Sequence, residues 1–409
     1  MLLTTRDRGV LLSMGSKENF PIGVLNEEEA WRLFKLTADD DVENRKLKAI
    51  ATEVARACGG LPIALTTIAR ALRDKSVPEW ENALQELRMP STGNFQGVPK
   101  EAYSTIELSY KNLKDEKLKK MFLLCSLMPN PCYTLDLLKY CMGLGIFQRV
   151  CKLEDAHKKL HAWVHELVDS CLLLVDDSSN NFFMHDVVRD VAISIACRDE
   201  HVFLVRNEDV WDWPDEDEKN ECYAISVRDS SIHELPEGLN CPQLQFLSIT
   251  NSKDSFLEID VPQDFFTGMR KLRVVHFSGM RLASLPYSIG LLQNLQTLCL
   301  ERSTFGDIAI IGKLKNLEVL SFVQSDIVML PKEIGQLTKL RLLDLTDCFK
   351  LKVIATNVLS SLTQLEALYM HNCYVEWEVE TRGSEKRSAS LDEFVHLPRL
   401  TTLEIEVSV

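Results

Sequence analysis

The sequence predicts a multidomain protein: a mainly α region, built from a helical bundle plus a winged helix, followed by an α/β leucine-rich-repeat solenoid. Three observations predict it. Apolar residues recur at three- and four-residue spacing from about 26 to 168. Two short apolar strands around a loop of turn-formers close that region. From residue 222 onward the template L-x-x-L-x-L-x-x-N/C keeps returning.

Composition bounds what such a chain can do. At 409 residues it needs two to four hydrophobic cores. Hydrophobic residues make up 45% and charged residues 26%, the balance of ordinary globular domains rather than disorder. The net charge of −14 opposes binding to nucleic-acid phosphate or an anionic membrane surface. Residues 101–200 carry 12 Lys or Arg against 15 Asp or Glu, so a winged helix there has no basic face for DNA, and no nucleic-acid partner is expected. The twelve cysteines are scattered singly without a C-x-x-C pair, which removes the usual zinc and redox spacings and fits a reducing compartment. The first residues, MLLTTRDRGVLLSMG, place charge early and lack the apolar core of a secretory leader, so none is expected, and no apolar run approaches the roughly 20 residues of a membrane helix. A cytoplasmic protein with no metal and no transmembrane segment is expected.

Taken in order, residues 1–24 form a short apolar strand ending in Thr4-Thr5-Arg6, a helical piece and a second strand, too little for a parallel sheet on their own. They are expected to be the end of an α/β domain. Residues 25–100 read as a helical bundle. Asn26 before Glu27-Glu28-Glu29 is a capping side chain ahead of an acidic first turn. Gly59-Gly60 stops a helix, and Leu61-Pro62 starts the next, since the fixed φ of proline suits a first helical turn. Residues 101–205 read as the winged helix, with its hairpin between Cys171–Val175 and Phe182–Phe183. Asp186 is expected to cap the helical run that begins at Val187, and Met184 to be core. An acidic linker, 206–221, leads to the repeats at 222–409.

The repeats begin weakly at Cys222-Ile225-Val227 and continue from Leu244, Leu272, Leu295, Leu317, Leu340, Leu365 and Leu400. Each contributes one strand, and stacking buries leucines that no repeat could bury alone. Template positions four and six point inward, so positions three and five face the concave surface. Position three reads Phe246, Val274, Thr297, Val319, Leu342 and Ala367, a mostly apolar stripe; position five reads Ser248, His276, Cys299, Ser321, Asp344 and Tyr369. The stripe is either mutual packing along the ladder or a docking strip for the winged-helix domain or a partner. The array runs to Val409 without a polar cap, so the chain is expected to be incomplete at both ends.

Several segments, in this order, resemble the plant NB-ARC leucine-rich-repeat receptors, the intracellular disease-resistance proteins. They are Thr4-Thr5-Arg6; Leu25 with Glu29-Ala30-Trp31-Arg32-Leu33-Phe34; Gly59-Gly60-Leu61-Pro62-Ile63-Ala64-Leu65; Leu108-Ser109-Tyr110 to Leu113; Met121 to Pro129; and Met184-His185-Asp186. Trp31 and the MHD-V-V-R-D wording favour the coiled-coil class. The resemblance implies that 25–100 is ARC1-like and 101–205 ARC2-like, and that the family switches between ADP and ATP. It implies that Arg6 senses phosphates, that the Gly60-Leu61-Pro62 turn packs on adenine, and that His185 donates a hydrogen bond to the β-phosphate of ADP. It further implies repeats that recognise a pathogen effector or a guarded host protein, and oligomerisation of the complete receptor, at times peripheral to the plasma membrane.

Bland roles stand beside these: a solvated charge for Arg6, a helix-start proline for Pro62, a satisfied structural histidine for His185. A phosphate-binding loop needs G-x-x-x-x-G-K-[ST]. The nearest string, Gly306 to Gly312-Lys313, has one residue too many, has Leu314 in place of the hydroxyl, and falls inside the repeats. This chain is therefore expected to hydrolyse no triphosphate and to bind no nucleotide by itself. A non-catalytic interaction module that works without nucleotide is the competing expectation.

Overall fold

The structure, a computed structural model, describes residues 13–15, 20, 22–38, 40–44, 47–88, 100–147, 150–175, 181–206, 216–228, 235–251, 257–258, 261–282, 284–378 and 388–406. Arg6, nearly all of segment 1–24 and most of the acidic linker lie outside the described residues. The rest fall into two compact units: 1–132 with 162–195, and 133–161 with 196–409.

The first unit is helical. Asn26 starts the Glu27–Ala38 helix as expected, its side-chain oxygen accepting from the amides of Glu28 and Glu29 at 3.1 and 3.0 Å while Glu29 reaches back to the Asn26 amide at 3.1 Å. This reciprocal pair satisfies donors that a helix start leaves free. Helices Lys48–Ala57, Pro62–Ala71, Val77–Arg88 and Lys100–Asn112 follow. Phe34, Val54, Leu65, Ile68, Trp80 and Leu108 share one core, with Phe34 stacked on Trp31 and edge-on to Trp80. Asp115 caps the next helix, Glu116–Ser126, by accepting from Lys117 N at 2.8 Å. The hairpin pairs Leu174 with Phe183 and Val175 with Phe182, antiparallel, and the Asp186–Asp199 helix begins three residues beyond Phe183.

The second unit is built on a nine-stranded parallel sheet. In chain order its strands are Val202–Arg206, Ala224–Arg228, Phe246–Thr250, Val274–Ser278, Thr297–Glu301, Val319–Ser321, Leu342–Asp344, Ala367–Met370 and Thr402–Ile405. Residues aligned by the leucine template sit directly opposite one another, as in Leu298–Leu320 and Leu320–Leu343. The sheet starts one strand earlier than the template: Val202–Arg206 pairs in register with Ala224–Arg228 although no L-x-x-L-x-L precedes it. Positions four and six line a continuous core from Ile225 and Val227 to Leu368 and Met370. On the ladder's turning side, Cys348 and Cys373 donate their thiols to the Phe322 and Leu345 carbonyls one repeat back, at 3.0 and 2.8 Å. Ser325 does the same for Leu300 at 2.7 Å, so serine serves where the template asks for Asn or Cys.

The same unit contains the helix Thr134–Gly143, which the sequence pattern groups with residues 101–205. Long-range side-chain chemistry, invisible in a local pattern, places it against the strands Thr297–Glu301 and Val319–Ser321.

Candidate functional site

Two places in the molecule bring functional chemistry together, one in each unit. The first holds the motif residues. Gly60 lies at φ +70°, and a Cβ there would overlap the Leu25 carbonyl oxygen. The Leu25 amide in turn donates to Gly60 O at 2.9 Å, so this glycine lets the start of the bundle run directly over the turn. Leu61 is extended, and Pro62 opens the following helix as expected.

His185 sits at the hairpin-to-helix junction, exposed, with its carbonyl accepting from Arg189 N at 2.9 Å. Its Nδ1 accepts from Val187 N at 3.2 Å. The cap of this helix is therefore His185, and not Asp186, which is already helical and places its carboxylate in the first turn. With Nδ1 taken as the acceptor, Nε2 is left as the ring's donor.

Two anchors fix the junction. Asn130 donates to Met184 O at 3.1 Å and accepts from Met184 N at 3.2 Å. Buried Arg189 donates to the carbonyls of Met128 and Ser126, placing a cation at the C-terminal end of the Glu116–Ser126 helix. Sequence pattern alone gives Arg189 no role. Met184 is fully buried, as expected of a core residue. Among the described residues, no hydrogen bond joins His185 to the Gly59–Pro62 turn. The Gly306 to Lys313 string is no phosphate cradle either, because Gly312 lets the Glu333 backbone of the next repeat approach closely.

The second site lies on the concave face of the repeats, where the helix Thr134–Gly143 covers the stripe at positions three and five. Its adjacent residues Lys139 and Tyr140 reach in opposite directions. The Lys139 ammonium, 1% exposed, meets Glu301 Oε1 at 3.1 Å, Asp344 Oδ2 at 3.0 Å and Asp136 Oδ1 at 3.3 Å. It also donates to Ser321 Oγ at 3.0 Å, and the Ser321 hydroxyl donates in turn to Glu301 Oε1 at 2.6 Å. Tyr140 packs edge-on against Phe246, and its hydroxyl is hydrogen-bonded to His276 Nδ1. His276 Nε2 stands 3.5 Å from Glu301 Oε2. The two side chains together span five consecutive strands, Phe246 to Asp344.

Close backbone approach completes the seat. Thr297 Oγ1 donates to the Lys139 carbonyl at 2.8 Å. A Cβ on Gly143 would lie 2.5 Å from Val274 Cγ2 and 2.6 Å from Thr297 Oγ1. Beyond the helix, Leu153 N donates to Glu366 Oε2 at 2.6 Å, and Arg341 bridges Glu366 and the Cys151 carbonyl at 2.6 and 3.1 Å. Val319 and Leu342 are fully buried yet stand apart from the repeats' own core.

The electrostatics follow from one cation among three carboxylates. Burial works to lower the Lys139 pKa, but Glu301, Asp344 and Asp136 outweigh it and hold the ammonium well above its usual range. For Glu301, burial pushes up, while Lys139 and then His276 dominate and leave the carboxyl far below normal. Asp136 is raised, chiefly by burial and also by Glu301, against the opposing pull of Lys139. Three acids thus compete for one ammonium, and Asp136 loses.

The missed signal is an embedded lysine. Lys139 in LDLLKYCMG looks like one solvated charge on an apolar helix, yet lysine is almost never fully buried unless paired. Its partners lie 162 and 182 residues away along the chain. Position five did contain Ser321, Asp344 and His276, the polar half of the seat. Among the described residues no group of three or more His, Cys, Asp or Glu could hold a metal, and no helix is long and apolar enough to cross a membrane.

Comparison with known proteins fits this architecture. The family described as "Leucine-rich repeat region" matches residues 224–409. Disease resistance protein At4g27190 of Arabidopsis thaliana is 30% identical over all of this chain and 42% of its own length. Disease resistance protein RPS5 of the same plant is 30% identical over 72% of this chain and 34% of its own, and disease resistance protein UNI is 29% identical over 89% and 41%. The chain spans less than half the length of these curated relatives. With a helical first unit, an in-register leucine-rich sheet and this full-length similarity, the chain belongs to the NLR-type plant disease resistance proteins.

Proposed function

We propose that this chain is the control and recognition portion of a plant immune receptor, in which the helix Thr134–Gly143 holds the concave face of the repeats in a resting arrangement. The observation that supports it is the buried Lys139 network, which ties a helix from the first half of the chain to strands more than 150 residues later. Recognition of a pathogen effector or a guarded host protein at the repeats releases this helix. The chain runs on from this helix through the separate helix Leu153–Asp169 to the hairpin and His185, the residue that the family resemblance assigns to ADP. A ligand shifts such an equilibrium only by its differential affinity for the two arrangements. His185, with Nε2–H outward, has the donor that a phosphate oxygen needs, and the Gly60-Leu61-Pro62 turn offers a rigid platform for a base. Winged-helix geometry for 101–205, and ADP/ATP exchange in the complete receptor, belong to this same proposal.

Hydrogen exchange tests it. In the resting chain the amides of 134–143 are expected to be protected as strongly as those of the repeat strands. In Lys139→Glu they are expected to exchange at least tenfold faster while the strands stay protected. Equal protection in the two proteins would remove the resting arrangement from the proposal. Calorimetry with ADP separates the switch from the nucleotide-free module, because no stretch of these 409 residues matches the Gly-rich G-x-x-x-x-G-K-[ST] loop. Absence of heat is expected for this chain, with regulation then resting on the helix alone.

A further inference from the structure

Release of the helix Thr134–Gly143 would leave Glu301 and Asp344 on the concave face without their ammonium. Both are buried among apolar residues, Phe246, Val274, Val319 and Leu342, on neighbouring strands. The docked helix supplies much of that burial, so the two carboxylates are solvated once it leaves, and any segment that covers them again must bring a cation, because desolvated charges are far costlier alone than paired. The same face holds a second, separate demand. His276 and Phe246 form a seat for an aromatic ring with a hydroxyl, now filled by Tyr140. Gly143 against Val274 and Thr297 sets a third requirement, a helix that comes close at its far end.

We propose that the concave face is a receptor for a partner protein's helix that presents a lysine followed directly by a tyrosine, and that Thr134–Gly143 is its resident copy. This rests on the release just proposed and adds the chemistry of the incoming partner. The lysine enters between Glu301, Ser321 and Asp344, and the tyrosine enters between Phe246 and His276. A small residue four positions after the lysine lets the incoming backbone reach Val274 and Thr297. The resident helix competes as an intramolecular ligand, with an effective concentration of the order of millimolar. An outside helix therefore binds only when it is better matched or when the resident is displaced.

The test uses the full chain with a fluorescent peptide copying residues 134–144, with serine for Cys141, and a second peptide in which the lysine is glutamine. Lys139→Glu repels the resident helix by charge. Gly143→Val displaces it by bulk alone and keeps the proposal testable should the first variant fold poorly. Each displaced chain is expected to bind the lysine peptide at least tenfold more tightly than the unaltered chain does, and at least tenfold more tightly than the glutamine peptide. Adding Asp344→Asn and Glu301→Gln is expected to abolish the preference for lysine. Equal affinity for the two peptides, or no binding by a displaced chain whose circular dichroism matches the original, overturns the proposal. Fast exchange of 134–143 without lysine preference would overturn this inference alone. Slow exchange in both variants would instead count against the release on which it rests.

Discussion

Lys139→Met exposes the logic of the concave seat most directly. Methionine keeps the length and most of the volume of lysine but leaves Glu301 and Asp344, 11% and 2% exposed in their side chains, facing each other's field without a cation. Removing one partner of a buried ion pair typically costs about 3–5 kcal/mol, most of it the penalty of the stranded charge. At about 1.4 kcal/mol per tenfold, the docking equilibrium of the helix shifts by roughly two to three and a half orders of magnitude. The chain has more than one compact unit, so a single unfolding midpoint would blur the effect. The assay is therefore amide exchange of residues 134–143, read beside urea unfolding. A companion variant, Lys139→Met with Glu301→Gln and Asp344→Asn, removes the stranded charges and should recover most of the loss, because buried ion pairs are often replaceable by apolar groups at little cost. Exchange in Lys139→Met within about twofold of the original, or a triple variant no better than the single one, would refute the electrostatic reasoning.

Other consequences separate cleanly. Gly143→Ala should raise the helicity of the isolated segment, as Ala exceeds Gly by about 1 kcal/mol in a helix. In the chain it should lower stability by about 1–3 kcal/mol through overlap with Val274 and Thr297, measured by urea unfolding. His185→Ala should cost about 1 kcal/mol by removing the cap, and His185→Asn should restore it, read by thermal unfolding. Asp136 is raised, so its contribution is full below the unfolded carboxyl pKa and declines as pH rises through the folded one; Asp136→Asn should match the original at pH 3 and melt at the same or higher temperature at pH 7. Glu301 is depressed, so its contribution is present above the unfolded value and vanishes only as pH falls through the folded one; Glu301→Gln should lower the melting temperature at pH 7 and converge with the original in strong acid.

Much of the fold was legible because its signals are local or periodic. Asn26, Gly59-Gly60 and Pro62 mark helix boundaries through backbone chemistry that needs no distant partner. The strand register follows from leucines that must meet their counterparts one repeat away. Even the apolar stripe was visible, and only its cover was left open. The cap at His185 was assigned one residue late because aspartate is the commoner capping side chain and imidazole a rare one. Arg189 escaped notice because its partners are backbone carbonyls, which carry no side-chain signature.

By itself, the sequence determined the repeat ladder, the helical first unit and the family, since each rests on periodicity or on motifs that recur in fixed order. Only the tertiary structure decided what lies on the concave face. A lysine between leucine and tyrosine can be solvated or buried with equal grammar. What settles it is whether carboxylates from strands far along the chain converge on its ammonium, and Glu301 and Asp344 do.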